Sequence, residues 1–218
     1  QKSQGSQITY TLILSNEDGG TNSERLMARW GRTSDIEWCY SFLPVLGGIE
    51  ETYQARNHKT LPFMGKHEGW HPVLYDATEN NNFADALTDP AAIRVRMVPV
   101  EMMLKGRSRE AAMDRFFWTY AIMAGEMERE GKFEWPADAH TAKLSDPRNY
   151  AYLEVCAQQK GTELHFDLQT GKDSRWFSSD HSDPKSRIER SGCFRTAIEL
   201  PPGSHAEDLR YMRVHCSP

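Results

Sequence analysis

The stretch ELHFDLQT (residues 163–170) carries the clearest fold signal in the chain, because apolar and polar residues alternate along it. Side chains of an extended strand point alternately to its two faces. One face of this strand is therefore apolar: Leu164, Phe166 and Leu168. The other face is polar: Glu163, His165 and Asp167. Lys160-Gly161 precedes the stretch as a turn signal, so residues 150–168 are predicted to form a β-hairpin.

The same period of two recurs in several other segments, which indicates a chain built mainly from half-buried strands. The segments lie at residues 8–14, 36–42, 93–97, 194–200 and 212–216. Strands with one apolar and one wet face are typical of antiparallel sheets, and two such sheets hide their apolar faces by packing together. We therefore predict an all-β, mainly antiparallel fold, a two-layer β-sandwich of jelly-roll type. A length of 218 residues favours one domain spanning residues 1–218.

Residues 108–130 depart from this pattern, because their apolar residues recur every three or four positions. These residues are Met113, Phe116, Phe117, Tyr120, Ala124 and Met127. With Ser108 placed to cap the start and Gly131 to end it, the spacing predicts one amphipathic helix inserted between the strands. The simpler role of its apolar stripe is to face the protein's own core, and the alternative is a partner or membrane surface.

The charge balance argues against a nucleic-acid partner. The chain has 26 Lys and Arg against 31 Asp and Glu, and its basic residues are scattered rather than grouped into a stripe that would collect phosphate groups. No apolar run reaches the roughly 18–20 residues that a membrane-spanning helix needs, so we also expect no membrane span.

Four cysteines predict an oxidising compartment, because their number is even and none has metal-ligand spacing. They are Cys39, Cys156, Cys193 and Cys216. One or two disulfides are expected, with Cys193 and Cys216 as a plausible pair, and the alternative is four buried free thiols. The sequence begins at Gln1 without methionine, for which a cleaved secretion signal is the simplest explanation. We expect a secreted or periplasmic protein.

The pentapeptide HEGWH (residues 67–71) matches H-E-x-x-H, the pattern of zinc peptidases. That pattern works because histidines four positions apart share one face of a helix. Gly69 is a poor helix residue, and Pro72 pushes His71 away from helical backbone angles. We therefore reject a helical zinc site of this type.

The same region could still bind a metal without a helix. His58, His67 and His71 lie in one loop-rich stretch, where Asp35, Glu37 or Asp76 could complete a transition-metal site. The simpler interpretation is a set of ordinary surface histidines.

An oxygen-rich segment follows at residues 76–85, where Asp76, Asn80 and Asn82 occupy alternate positions as in the start of a calcium loop. The glycine and the final glutamate of such a loop are missing. The simpler interpretation is an Asn-rich turn whose side chains bond their own backbone.

The stretch RWGRTSDIEW (residues 29–38) combines aromatic and charged residues that suit a polar ligand. Asp35 and Glu37 would point to one face of a strand, where two carboxylates can act as acid and base or hold a metal. Trp30 offers a stacking surface and Arg32 a charge. The simpler interpretation is an Arg–carboxylate network on the exposed face of a strand.

We therefore predict an exported binding or interaction module, with an extracellular glycan or protein as ligand and calcium as a cofactor. Its expected ligand-binding residues are Trp30, Arg32, Asp35, Glu37 and Trp70. One alternative is a metal-dependent hydrolase with a His/carboxylate site in residues 31–85. Another is a structural, homo-oligomeric subunit of an extracellular assembly. No G-x-S-x-G motif or phosphate-binding glycine loop supports other chemistry.

Overall fold

Antiparallel sheets dominate the computed structural model, which describes residues 6–17, 20–87, 89–137, 143–171 and 174–218. All pairings between its named strands are antiparallel, so the predicted fold class is confirmed. The chain divides into two compact units: unit 1, from residues 1–19 and 35–101, and unit 2, from residues 20–34 and 102–218. The single domain spanning residues 1–218 stays a prediction.

Unit 1 is built around one four-stranded sheet of order β1-β2-β3-β4, followed by two short hairpins, β5-β6 and β7-β8. Its strands are β1 (Ile8–Leu14), β2 (Asp35–Val45), β3 (Gly48–Ala55), β4 (Lys59–Pro62), β5 (His67–Glu68), β6 (His71–Pro72), β7 (Tyr75–Asp76) and β8 (Phe83–Ala84). Aromatic rings fill its core, where the ring centroids of Tyr40 and Phe63 lie 5.3 Å apart in an edge-on contact. The predicted alternating segments supply Tyr10, Tyr40 and Phe42, whereas Tyr53, Phe63 and Phe83 come from segments that the period of two did not identify.

Unit 2 contains the helices and the remaining strands. Its elements are α1 (Ser23–Trp30), α2 (Ala111–Arg115), α3 (Trp118–Arg129), β9 (Tyr150–Ala157), β10 (Glu163–Thr170), β11 (Trp176–Ser178), β12 (Gly192–Glu199) and β13 (Leu209–Ser217). Short 3₁₀ turns precede β9, β12 and β13. The strands form two sheets, of order β11-β10-β13 and β12-β9.

The two sheets of unit 2 share one apolar core. Leu164, Phe166 and Leu168 of β10 pack in the same cluster as Phe194 and Ile198 of β12, with residues of β9 at its margin. This is the two-layer packing that the alternating pattern predicts, because each sheet buries its apolar face against the other. The jelly-roll arrangement stays a prediction.

Helix α1 packs on β12, and its Met27 joins Met127 of α3 in a second buried cluster. Its boundaries follow local rules: the Asn22 side chain caps its first turn, and Gly31 ends it with a φ of 64°. This helix is not among the sequence-based predictions, which interpret only its last two residues, Arg29 and Trp30, and those as a charged and an aromatic side chain.

The helical region predicted at residues 108–130 is confirmed in a modified form, as two helices instead of one. Phe116 leaves helical geometry between α2 and α3, with φ −115° and ψ 60°. Met113 and Met127 are buried as expected, but Phe117 is exposed, so its predicted core position is wrong. Ser108 donates to Glu154 at 2.9 Å and does not cap the helix.

Three finer predictions are wrong. Residues 150–168 do not form a hairpin, because β9 pairs with β12 while β10 pairs with β11 and β13. The disulfide joins Cys156 to Cys193, which are direct neighbours across the β9–β12 pair, so Cys193 cannot bond Cys216. Residues 93–97 form no strand, because alternation specifies a face but supplies no pairing partner.

No helix among the described residues is long and apolar enough to cross a membrane.

Candidate metal centre

Three potential metal ligands converge on the polar face of the β10–β13 pair. His165 of β10 lies directly opposite His215 of β13, and residues that face each other across an antiparallel pair point to the same side. Asp167 lies two positions further along β10 and therefore points to that side as well. The core residues Leu164 and Phe166 point the other way. Strand register alone thus brings two imidazoles and one carboxylate together.

The side chains of this cluster lie close to one another. One ligand atom from each of His165, Asp167 and His215 lies within 4.8 Å of the other two. The two imidazole rings stack in parallel, with 4.3 Å between their centroids and 1° between their planes. The His215 Nε2 and an Asp167 carboxylate oxygen are hydrogen-bonded at 2.7 Å. All three side chains are partly buried. Among the described residues, no other group of three His, Cys, Asp or Glu side chains brings its ligand atoms within 4.8 Å of one another.

Asp180 supports the cluster from the turn that follows β11. Its carboxylate accepts hydrogen bonds from Ser178 and from the backbone of Ser182 on one oxygen, and from Arg187 on the other, at 2.9 to 3.0 Å. That second oxygen lies 3.9 Å from the Nδ1 of His165. The Nδ1 is buried and makes no hydrogen bond. In metal sites a carboxylate hydrogen-bonded to a ligating histidine orients its ring, and Asp180 lies near that position without making the bond.

The electrostatics keep His165 available as a ligand. Burial lowers the pKa of His165, Asp180 opposes this, and the neighbouring His215 and Arg187 side chains lower it further. A metal binds the neutral imidazole, so a lowered pKa removes competition from protons. Burial by itself would raise the pKa of Asp180, but its hydrogen bonds, led by Arg187, outweigh burial and lower it. Asp180 is therefore a carboxylate at neutral pH.

Metal loading requires a small rearrangement of the rings. Tetrahedral coordination with bonds of about 2.0–2.1 Å places two ligand nitrogens roughly 3.3 Å apart and pointing at one centre. Parallel rings 4.3 Å apart must therefore tilt toward each other. The hydrogen bond between His215 and Asp167 would open, and both groups would turn to the ion. All three residues lie on paired strands, so we expect the change to involve their side chains and not the backbone.

His58, His67 and His71 were predicted as metal ligands. Among the described residues, none of them belongs to a group of three ligand atoms as close as that of His165, Asp167 and His215. His58 lies 3.9 Å from Glu37, between its Nδ1 and a carboxylate oxygen. His67 pairs with Glu51 at 2.8 Å, and His71 is exposed on β6. The sequence HEGWH forms the hairpin β5-β6 around Gly69, whose φ is 62°, so the predicted absence of a helix is confirmed.

The oxygen-rich segment makes hydrogen bonds within its own loop and with residues 57 and 58. The side chain of Asn82 accepts from the backbone of Asn57 at 2.8 Å and donates to the Asn80 carbonyl at 3.0 Å. Asp76 lies on β7, and partial desolvation of its carboxyl group together with the charge of Asp35 outweighs the hydrogen bond from the Thr78 backbone and raises its pKa. The Asn80 amide lies 3.3 Å from the His58 ring nitrogen.

An open cavity of about 760 Å³ lies beside this segment in unit 1. Its lining comes from residues 56–58, residues 77–80 and Asn82. The predicted metal ligands His58, Asn80 and Asn82 are thus brought together along one polar cavity.

The predicted ligand-binding residues are distributed over both units, and three of them belong to unit 1. Asp35 and Glu37 are buried on β2, where they accept from Asn81 at 2.9 Å and Gln54 at 2.5 Å. Trp70 is exposed at the tip of the β5-β6 hairpin.

The other two predicted ligand-binding residues belong to unit 2. Trp30 stacks under the guanidinium of Arg190, with 3.7 Å between the guanidinium carbon and the ring centroid. Arg32 is buried and pairs with Glu110 at 3.1 Å.

The sequence analysis placed His165 and Asp167 on the polar face of a strand but did not propose them as ligands. Their partner His215 lies in a different predicted strand, 48 residues after Asp167. A signal was present, since both predicted strands carry a histidine among alternating apolar residues. Only the pairing of β10 with β13 shows that these histidines face each other.

Comparison with known proteins gives no match: no protein-family model, no curated protein and no solved structure is similar to this chain.

Proposed function

We propose that this chain is an exported binding module whose unit 2 holds a divalent transition-metal ion through His165, Asp167 and His215. The observation that carries the proposal is the approach of their ligand atoms to within 4.8 Å on one face of the β10–β13 pair. Two imidazoles and one carboxylate suit zinc or copper(II), whereas calcium prefers oxygen ligands alone. The disulfide between Cys156 and Cys193 supports export, since such bonds persist in oxidising compartments.

Three protein ligands leave a fourth position of a tetrahedral ion for an external group. Metal sites with three protein ligands bind water or a substrate there, whereas purely structural zinc sites are closed by four protein ligands. The centre is partly exposed on the outer face of its sheet, so an external group can reach it. Binding of an extracellular ligand through the metal is the role that this geometry favours.

Zinc and copper titrations test the proposal. In a non-chelating buffer at pH 7.5, isothermal titration with ZnCl₂ or CuCl₂ should show one ion bound per chain. His215→Gln and Asp167→Asn should each weaken binding at least about tenfold, since even supporting residues of metal sites contribute that much. His71→Ala is the matched control, because it removes an exposed histidine from unit 1. Unchanged binding in His215→Gln, or an equal loss in His71→Ala, would contradict the assignment.

The cavity in unit 1 supports a second candidate function, the binding of an extracellular glycan. Its lining combines amide, imidazole, hydroxyl and charged groups, which are the hydrogen-bonding partners of sugars. A glycan array should therefore identify a bound sugar, and His58→Ala and Glu79→Gln should reduce that signal. Glu50→Gln, an exposed carboxylate outside the lining, should leave the signal unchanged. An array without signal would contradict this second candidate while leaving the metal centre standing.

A further inference from the structure

A guanidinium group and an indole ring lie next to the metal centre, on the same face of the sheet β11-β10-β13. Arg213 of β13 is directly opposite Asp167 of β10, so its side chain points to the side of the candidate ligands. Trp176 of β11 is opposite Gln169, two positions after Asp167, and therefore shares that side. Strand register thus places a positive charge beside the centre.

Arg213 is held in position while its charge stays available. Its guanidinium carbon lies 3.6 Å from the centroid of the Trp176 ring, in a cation–π contact. The residue is exposed, and among the described carboxylates none forms an ion pair with it. Asp167, its neighbour across the strands, is instead hydrogen-bonded to His215 at 2.7 Å. The N–H groups of Arg213 are therefore open to an external acceptor.

The second guanidinium near the centre is already paired. The Nε of Arg187 donates to Asp180 at 2.9 Å, and its Nη1 donates to Glu163 at 3.4 Å. Arg187 therefore holds the carboxylate that lies behind His165, whereas Arg213 faces solvent beside the ligands.

Binding of a divalent ion changes the sign of the charge on this face. Among the described residues, three carboxylates and two guanidinium groups surround the centre: Asp167, Asp180, Glu163, Arg187 and Arg213. With both imidazoles neutral, the face without an ion carries a net negative charge, and a divalent ion makes it net positive. An anion is therefore attracted to this face only when the metal is bound.

The ion also offers a binding position for that anion. Three protein ligands leave the fourth position of a tetrahedral ion open. The row of Arg213 lies two positions from the row of the histidines, which corresponds to about 7 Å along the strands. An ion–oxygen bond of about 2 Å, a carboxylate group and a charge-assisted hydrogen bond of about 2.8 Å span the same separation in series.

We infer that the external ligand of this centre carries a carboxylate, which binds the ion through one oxygen and accepts hydrogen bonds from Arg213 through the other. The inference rests on the proposed metal site. A guanidinium group held in place recognises a carboxylate by geometry as well as by charge. Arg213 therefore selects the ligand, while His165, Asp167 and His215 hold the ion.

Carboxylate binding to zinc-loaded protein tests the inference. The probes are N-acetylglycine, which represents a peptide C-terminus, and glucuronate, which represents an acidic sugar. Isothermal titration at pH 7.5 should show that at least one of them binds the zinc-loaded protein and that neither binds the metal-free protein. The neutral N-acetylglycinamide should not bind. Absence of binding by both carboxylates, equally tight binding to metal-free protein, or equal binding of N-acetylglycinamide would overturn the inference.

The variant Arg213→Gln separates the role of the guanidinium from that of the ion. It should not weaken the binding of ZnCl₂, but it should weaken carboxylate binding at least about tenfold, since it removes charge-assisted hydrogen bonds. Arg210→Gln is the matched control, because Arg210 is an exposed cation of the same strand whose side chain lies beside Gly171, beyond the end of β10. An unchanged carboxylate affinity in Arg213→Gln, or an equal loss in Arg210→Gln, would overturn the inference.

The titrations distinguish this inference from the proposed metal site. A wild-type protein that binds no zinc would contradict the metal site and the inference together. A wild-type protein that binds one zinc ion per chain but neither carboxylate would contradict the inference alone.

Discussion

At the scale of single residues, Glu24 of α1 places a fully buried carboxyl group in unit 2. One carboxylate oxygen accepts from the Tyr150 hydroxyl at 2.8 Å, and the other lies 2.8 Å from the Nε2 of His181. Burial by itself lowers the pKa of His181, but the carboxylates of Glu24, Glu199 and Asp180 together outweigh it and raise that pKa. The protonated imidazole compensates a carboxylate that would otherwise be buried with an uncompensated charge.

This pair predicts a pH-dependent stability. Because the folded pKa of His181 lies above its unfolded value near pH 6.5, its contribution is complete below about pH 6.5 and is lost as pH rises through the folded pKa. His181→Gln should lower the free energy of unfolding by roughly 3–5 kcal/mol at pH 6, since it breaks a buried ion pair. The difference between wild type and variant should shrink toward pH 9.

Urea unfolding at pH 6, 7, 8 and 9 measures this difference. His71→Gln serves as a control, because its imidazole is exposed on β6. If the free energy of unfolding changed with pH equally in wild type and His181→Gln, His181 would not be the source of the pH dependence.

At the scale of elements, the β9–β12 pair is held by a covalent bond as well as by its ladder. Cys156 and Cys193 are opposite each other in register, and their disulfide closes a loop with a sequence separation of 37 residues. Closing a loop of that length reduces the entropy of the unfolded chain, which corresponds to about 4 kcal/mol in the chain-entropy description. The double variant Cys156→Ala/Cys193→Ala should therefore lose about 4 kcal/mol of unfolding free energy.

Chemical denaturation of that double variant is compared with Cys216→Ser, which removes an exposed free thiol. Cys216→Ser should unfold at the wild-type denaturant concentration. A double variant as stable as wild type would mean that the β9–β12 ladder and the core alone determine the stability of unit 2.

Elements are predictable from sequence where one local pattern decides them. The alternation in residues 163–170 identifies β10 and its apolar face, since Leu164, Phe166 and Leu168 are buried. The breakers Gly69 and Pro72 correctly exclude a helix from HEGWH. Residues 93–97 were predicted as a strand from their alternation and do not form one, because an alternating segment becomes a strand only when another strand pairs with it.

At the scale of the whole molecule, strand pairing decides the candidate site, and pairing is a long-range property. His165 and Asp167 are predictable as polar residues of β10, but His215 joins them only because β13 pairs with β10 in one register. Of the expected ligands in residues 31–85, His67 pairs with Glu51 and Asp35 accepts from Asn81, whereas His71 and Trp70 are exposed. Sequence patterns therefore predict the fold class, whereas the convergence of His165, Asp167 and His215 depends on strand pairing that no single segment specifies.

The most direct test of the metal centre is anomalous diffraction at the zinc edge from crystals grown with ZnCl₂. The account predicts an anomalous peak at about 2.0–2.2 Å from one ring nitrogen each of His165 and His215 and from an oxygen of Asp167. The imidazole rings, stacked in parallel at 4.3 Å, should be tilted toward that peak. A zinc peak at His58, His67 or His71 with none between β10 and β13 would contradict it.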